Sequence, residues 1–94
     1  MRFCVERNIL ADETGKVVPV TEPSRITYRW VDADDVSHAL KIVADDERAE
    51  FLQGIYAMAP VQAMATVKRG RVLLTLHAFP EEEANERINH LPRR

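Results

Sequence analysis

The stretch that decides the fold runs from Val61 to Phe79, VQAMATVKRGRVLLTLHAF. Apolar and polar residues alternate on both sides of Gly70, the pattern of two strands joined by a tight turn. With Arg69 and Gly70 as the turn residues, Lys68 opposes Arg71, and the cross-strand pairs become Val67–Val72, Ala65–Leu74, Ala63–Leu76 and Val61–Ala78. That face is apolar throughout, and a one-residue slip would scramble it. Small alanines opposite leucines leave room for a helix to lie across. The turn holds one tension: Arg69 at its first position needs a positive φ, which Asn or Asp accepts more readily.

The reverse face of the hairpin pairs Gln62 with His77, Met64 with Thr75 and Thr66 with Leu73, and ends on Phe79. Apolar residues set among polar ones suit a protein interface, or a second face covered by the same chain. Gln62, Met64, Thr66, Leu73, Thr75 and His77 are therefore the candidate protein interface.

Upstream, Ile26, Tyr28 and Trp30 share one side of a strand and Arg25, Thr27 and Arg29 the other. The aromatic side is expected to supply much of the core, since Tyr and Trp bury large areas once their polar atoms find partners. Residues 3–10 alternate less regularly, with Phe3, Val5 and Ile9 opposite Arg2, Cys4, Glu6 and Asn8. Asp12-Glu13-Thr14-Gly15 reads as a turn into a short strand, Val17 to Val20, at an edge or irregular because Pro19 lacks an N–H. Thr21 to Ser24 is a connector.

Residues 36–43 carry two periodicities. Val36, Ala39, Leu40 and Val43 recur at helical spacing behind the potential caps Asp34 and Asp35, whereas Val36, His38, Leu40 and Ile42 alternate as a strand would after a loop at 32–35. The helix is favoured, given acidic residues at its start and the helix formers Ala39, Leu40 and Lys41. A second helical signal opens at Asp45-Asp46-Glu47 and continues through Ala49, Leu52 and Tyr56, with Phe51, Ile55 and Met58 alongside. Gly54 weakens it by about 1 kcal/mol. A separate helix, a continuation of the first, or a strand all fit residues 45–58, and Pro60 ends the element. From Pro80, three glutamates and then Ala84, Ile88 and Leu91 predict a short C-terminal helix within residues 80–94, with Pro92-Arg93-Arg94 fraying.

These elements predict an α+β fold. One small domain, residues 1–94, holds an antiparallel sheet of four or five strands with one or two helices on one face and a short C-terminal helix. With 46% hydrophobic and 30% charged residues the chain has the balance of a globular protein. No apolar run is long enough for a membrane span, and the first residues, MRFCVER, lack an apolar leader. Cys4 is the single cysteine, so an intrachain disulfide is excluded, and a cytoplasmic location is expected.

A net charge of −2 argues against a general affinity for polyanions. Residues 32–50 hold seven carboxylates against Lys41 and Arg48. Asp34, Asp35, Asp45, Asp46 and Glu47 form a candidate acidic partner surface, although two helix N-termini would also call for them. Lys68, Arg69 and Arg71 surround the hairpin tip and are the candidate nucleic-acid contact, without the aromatic interleaving or zinc spacing that usually accompanies one.

Catalysis would have to draw on Cys4, His38, His77 and His90, and no local pattern joins a nucleophile to a base among them. The histidines lack HxxxH spacing, and Gly15, Gly54 and Gly70 are isolated, so no metal, cofactor or nucleotide is expected. By elimination the expectation is a non-enzymatic interaction or regulatory module that binds another protein or a second copy of itself. A small accessory or inhibitor protein of a bacterial or phage system fits that size. Nucleic-acid binding through the basic tip and a small enzyme of unknown chemistry are the alternatives.

Overall fold

A computed structural model describes residues 1–59 and 61–83. Its strands are β1 (Arg2–Ala11), β2 (Ile26–Asp32), β3 (Glu50–Phe51), β4 (Tyr56–Ala59), β5 (Gln62–Arg69) and β6 (Val72–Pro80), with the helix α1 (Val36–Asp46) and a 3-10 turn at Pro23–Arg25. The strands form one antiparallel sheet in the order β2-β1-β6-β5-β3, and β4 also pairs with β5. Six strands thus fill five positions, because β3 and β4 occupy successive parts of the same edge. The fold is a small α+β domain, as the alternation of the strands and the period of α1 predict.

α1 lies across one face of the sheet and buries Ala39, Leu40, Val43 and Ala44 against it. Beneath them stand Phe3 and Val5 of β1, Val31 of β2, Ala63, Ala65 and Val67 of β5, and Leu74, Leu76 and Ala78 of β6. Alanines on both sides let the helix approach closely. Leu40, fully buried among them, contributes about 2 to 3 kcal/mol by leaving water. Asp35 starts the helix, its carboxylate accepting from the His38 N–H at 2.8 Å.

The hairpin forms, but with a different register. Ala63 pairs with Ala78, Ala65 with Leu76, Val67 with Leu74 and Arg69 with Val72, so each residue meets a partner two positions further along than the Arg69-Gly70 turn requires. The turn residues are Gly70 and Arg71. Gly70 has φ +60°, whereas Arg71 stays at negative φ, and this places the positive φ on the one residue without a Cβ.

The segment 45–58 is not a second helix. α1 stops at Asp46, with Arg48 at φ +56°, its N–H donating to Asp45 O at 3.0 Å, and the Ala49 N–H donating to Ala44 O at 2.9 Å. Those two bonds close a left-handed C-cap. The chain then runs extended as β3 and β4 along β5. Asp45, Asp46 and Glu47 accordingly sit at a helix C-terminus rather than at a second N-terminus.

Three further expectations change. Val17 to Val20 makes no strand; one bridge, Ala11 to Val17, and the Val18 N–H bonded to Leu10 O at 2.9 Å hold it, while Val17 and Val20 are exposed. The aromatic side of β2 does not line the main core: α1 covers the opposite face, to which β2 contributes Val31, and Ile26 and Trp30 stay partly exposed. Pro80 ends β6, paired with Phe3, so helical backbone begins at Glu81 rather than at Pro80, and residues 84–94 of the expected C-terminal helix lie outside the described residues.

Candidate interaction surfaces

On the sheet face away from α1, even-numbered residues of β1, β2 and β5 meet odd-numbered residues of β6. All six interface candidates stand there, each half-buried: Gln62, Met64 and Thr66 from β5, and Leu73, Thr75 and His77 from β6. The observed register sets Met64 against His77 and Thr66 against Thr75, and brings Leu73 opposite Lys68. Tyr56 of β4 joins Met64 from the other side and is 68% exposed. Across β1, Glu6 lies between His77 and Tyr28, and Asn8 between Thr75 and Ile26.

One end of this face is closed. Cys4 and Phe79 pair across β1 and β6, both fully buried, with Tyr28 packed against them. The His77 ring meets Phe79 edge-on at 5.2 Å, and its Nε2 lies 3.1 Å from Gln62 Oε1. The Gln62 amide in turn donates to Glu83. Beside this cluster the Arg2 guanidinium sits 4.8 Å above the Trp30 ring, a cation–π contact at the sheet border.

The acidic candidates do not form one patch. Asp34 and Asp35 flank the N-terminus of α1, and Asp45, Asp46 and Glu47 its C-terminus, about 16 Å away along an 11-residue helix. Carboxylates at a C-terminus oppose the helix dipole, and arginines from the sheet offset this. Arg29 Nη2 binds Asp46 at 2.6 Å, and Arg7 Nε donates to Glu47 Oε2 at 2.8 Å. At the other end, Asp34 and His38 are 3.6 Å apart.

The basic tip is likewise divided. Arg69 Nη1 donates to Glu47 O at 2.9 Å, and Arg71 Nη1 to Thr14 O at 3.4 Å. Lys68 stands on the face away from α1, opposite Leu73 and beside Glu50. The three cations therefore leave the tip in different directions.

Of the residues weighed for chemistry, Cys4 is buried within the sheet, His38 sits at the start of α1, and His77 belongs to the face just described. His90 lies outside the described residues. Among the described residues no group of three or more His, Cys, Asp or Glu side chains is placed to hold a metal ion, and no helix is long and apolar enough to cross a membrane.

Ile26, Trp30 and Tyr56 are surface residues that reasoning from sequence did not assign to this face. For β2 the alternation was visible, but not which side α1 would cover. For Tyr56 the helical spacing of Ala49, Leu52 and Tyr56 concealed a strand. No family model, curated protein or solved structure matches the chain.

Proposed function

We propose that the protein is a non-enzymatic interaction module of the cytoplasm that binds another protein through the sheet face away from α1. One observation carries this: Met64, Thr66, Leu73 and Thr75 share that face with the partly exposed Ile26, Trp30 and Tyr56, so large apolar groups alternate with hydroxyls over one broad surface. A mixed surface of that kind, with aromatic and other apolar side chains set among hydroxyls, has the composition of protein interfaces. The single, buried cysteine is at home in a reducing compartment.

Nucleic-acid binding is the weaker proposal, since Arg69 and Arg71 already bond backbone carbonyls of their own chain. The test is site-specific photo-crosslinking in cells, with the reactive group at Thr66 or Thr75 on the face and at exposed Lys41 on α1 as control. A discrete protein adduct from positions 66 and 75 and none from 41 is the expected result. The same adducts from all three positions, or none from the face, overturn the assignment.

A further inference from the structure

β2 borders the sheet, and among the described residues it pairs with β1 alone. The phase of that pairing follows from its end. The Met1 amine donates to Ala33 O at 3.0 Å, and the Ala33 N–H donates to Met1 O at 2.8 Å. Bonded and non-bonded pairs alternate along an antiparallel ladder, so Phe3–Val31, Val5–Arg29 and Arg7–Thr27 are bonded pairs, whereas Cys4–Trp30 and Asn8–Ile26 are not. The backbone N–H and C=O of Ile26 and Trp30 thus point outward from the sheet border. Their side chains are 39% and 36% exposed.

Proteins commonly guard such a border with a proline, a bulge or a short strand. β2 has seven residues, no proline, no positive φ and an unbroken register with β1. We propose that this border pairs with β2 of a second copy of the chain, antiparallel about a twofold axis at position 28, so that one sheet continues through both copies.

Self-complementarity selects both the partner and the register. Outward-pointing residues of β2 carry even numbers, so an antiparallel copy must match even with even. An axis at position 28 sets Ile26 against Trp30 of the second copy, twice by symmetry, and Thr27 against Arg29. An axis at position 29 would oppose Arg29 to itself and Ile26 to Asp32, placing like charges face to face and an apolar side chain against a carboxylate. With the axis at 27 or 30, either Trp30 or Ile26 falls opposite a residue outside the strand. Only the axis at 28 gives both exposed apolar side chains apolar partners within β2, in an isologous contact. The ladder is short, so the buried area falls at the low end of specific interfaces, below about 1,200 Å² in total, and the dimer is a weak one in exchange with monomer.

This pairing goes beyond the face assigned above: it engages the backbone border of β2, while Ile26 and Trp30 contribute side chains to both, so the readout here is self-association and not capture of another protein. Sedimentation equilibrium of the full chain, from micromolar to millimolar concentration, should show a reversible monomer–dimer equilibrium. Amide hydrogen exchange should show protection at Ile26 and Trp30 that rises with concentration. The double variant Ile26→Lys/Trp30→Lys sets lysine against lysine and should weaken dimerisation at least tenfold. A monomer at every concentration, a dimer unaffected by the double variant, or concentration-dependent protection on another strand overturns the proposal. Should the double variant not fold, the exchange pattern of the unaltered chain decides.

Discussion

Arg7 and Glu47 join the middle of β1 to the residue that caps α1. Arg7 Nε donates to Glu47 Oε2 at 2.8 Å, a second bond runs from Nη2 to Oε1, and Nη1 donates to Thr27 Oγ1 at 2.6 Å. Both side chains are less than one-fifth exposed. A forked guanidinium on a carboxylate in partial shelter is stronger than an open surface pair, and removing one partner leaves the other charge poorly solvated. Arg7→Ala is therefore expected to lower the free energy of unfolding by about 2 kcal/mol. Arg7→Lys should recover only part of it, because an ammonium cannot bridge both carboxylate oxygens and Thr27 in the same geometry. Urea denaturation of the three proteins checks the order, and equal stability of Arg7→Ala and the unaltered chain would mean that water serves Glu47 as well.

The end of α1 yields an opposite expectation. Arg48 holds φ +56° in a left-handed cap and its side chain is exposed, so its Cβ strains the backbone. Arg48→Gly should stabilise the fold by about 0.5 to 1 kcal/mol, the strain relieved less the extra freedom glycine has when unfolded. Thermal unfolding should show a higher midpoint. A lower one would indicate that the Arg48 side chain holds the turn by interactions with its surroundings.

That same residue marks where the sequence stopped being legible. Helical period through Ala49, Leu52 and Tyr56 is real, but a left-handed residue at position 48 reverses the chain, and non-glycine residues give little warning of it. The hairpin shows the complementary case. A register shift of two residues keeps every side chain on its original face, so the alternation places Ala63, Ala65, Val67, Leu74 and Leu76 on the buried side in either register. The six interface candidates share one face for the same reason. Parity is written in the alternation, whereas exact pairing is decided at the turn. Which face of β2 the helix covers depends on tertiary packing, and the Ile26, Tyr28 and Trp30 alternation carries no sign of it.

The turn itself gives a test of that distinction. Gly70 has φ +60° and open space where a Cβ would stand, so a substitution there is penalised by the backbone alone. Gly70→Ala should cost about 1 to 2 kcal/mol and Gly70→Asn less, since Asn tolerates the left-handed region. Arg71→Ala, at the second turn position with negative φ, should change stability only by loss of its bond to Thr14 O. If Arg69 and Gly70 were instead the turn residues, Arg69→Gly would be strongly stabilising; with Gly70 and Arg71 in the turn, it removes a side chain bonded to Glu47 O and should destabilise. Equilibrium unfolding of this pair separates the two registers without a structure determination.

The loop after β1 carries a pH dependence whose sign is fixed by its hydrogen bonds. Asp12 Oδ1 accepts from Thr14 Oγ1 at 2.6 Å, from Thr14 N–H at 2.9 Å and from Lys16 N–H at 3.1 Å. The Thr14 hydroxyl holds the Asp12 carboxyl below its ordinary value of 3.8, opposed next by desolvation and aided by the Thr14 and Lys16 amides and the Lys16 charge. The folded chain therefore binds this proton less readily than the unfolded one, and the stabilisation is present above the ordinary value and lost as pH falls through the depressed one. Carboxyl NMR titration should place the Asp12 midpoint below 3.8, with Thr14→Ala moving it upward. Gly15, at φ +85° in the same turn, should report the transition through its amide shift with the same midpoint. An Asp12 midpoint at or above the ordinary value would show that the three donors turn to water in solution, leaving the Asp12 N–H to Lys16 O and Gly15 N–H to Asp12 O bonds at 2.9 Å to close the turn.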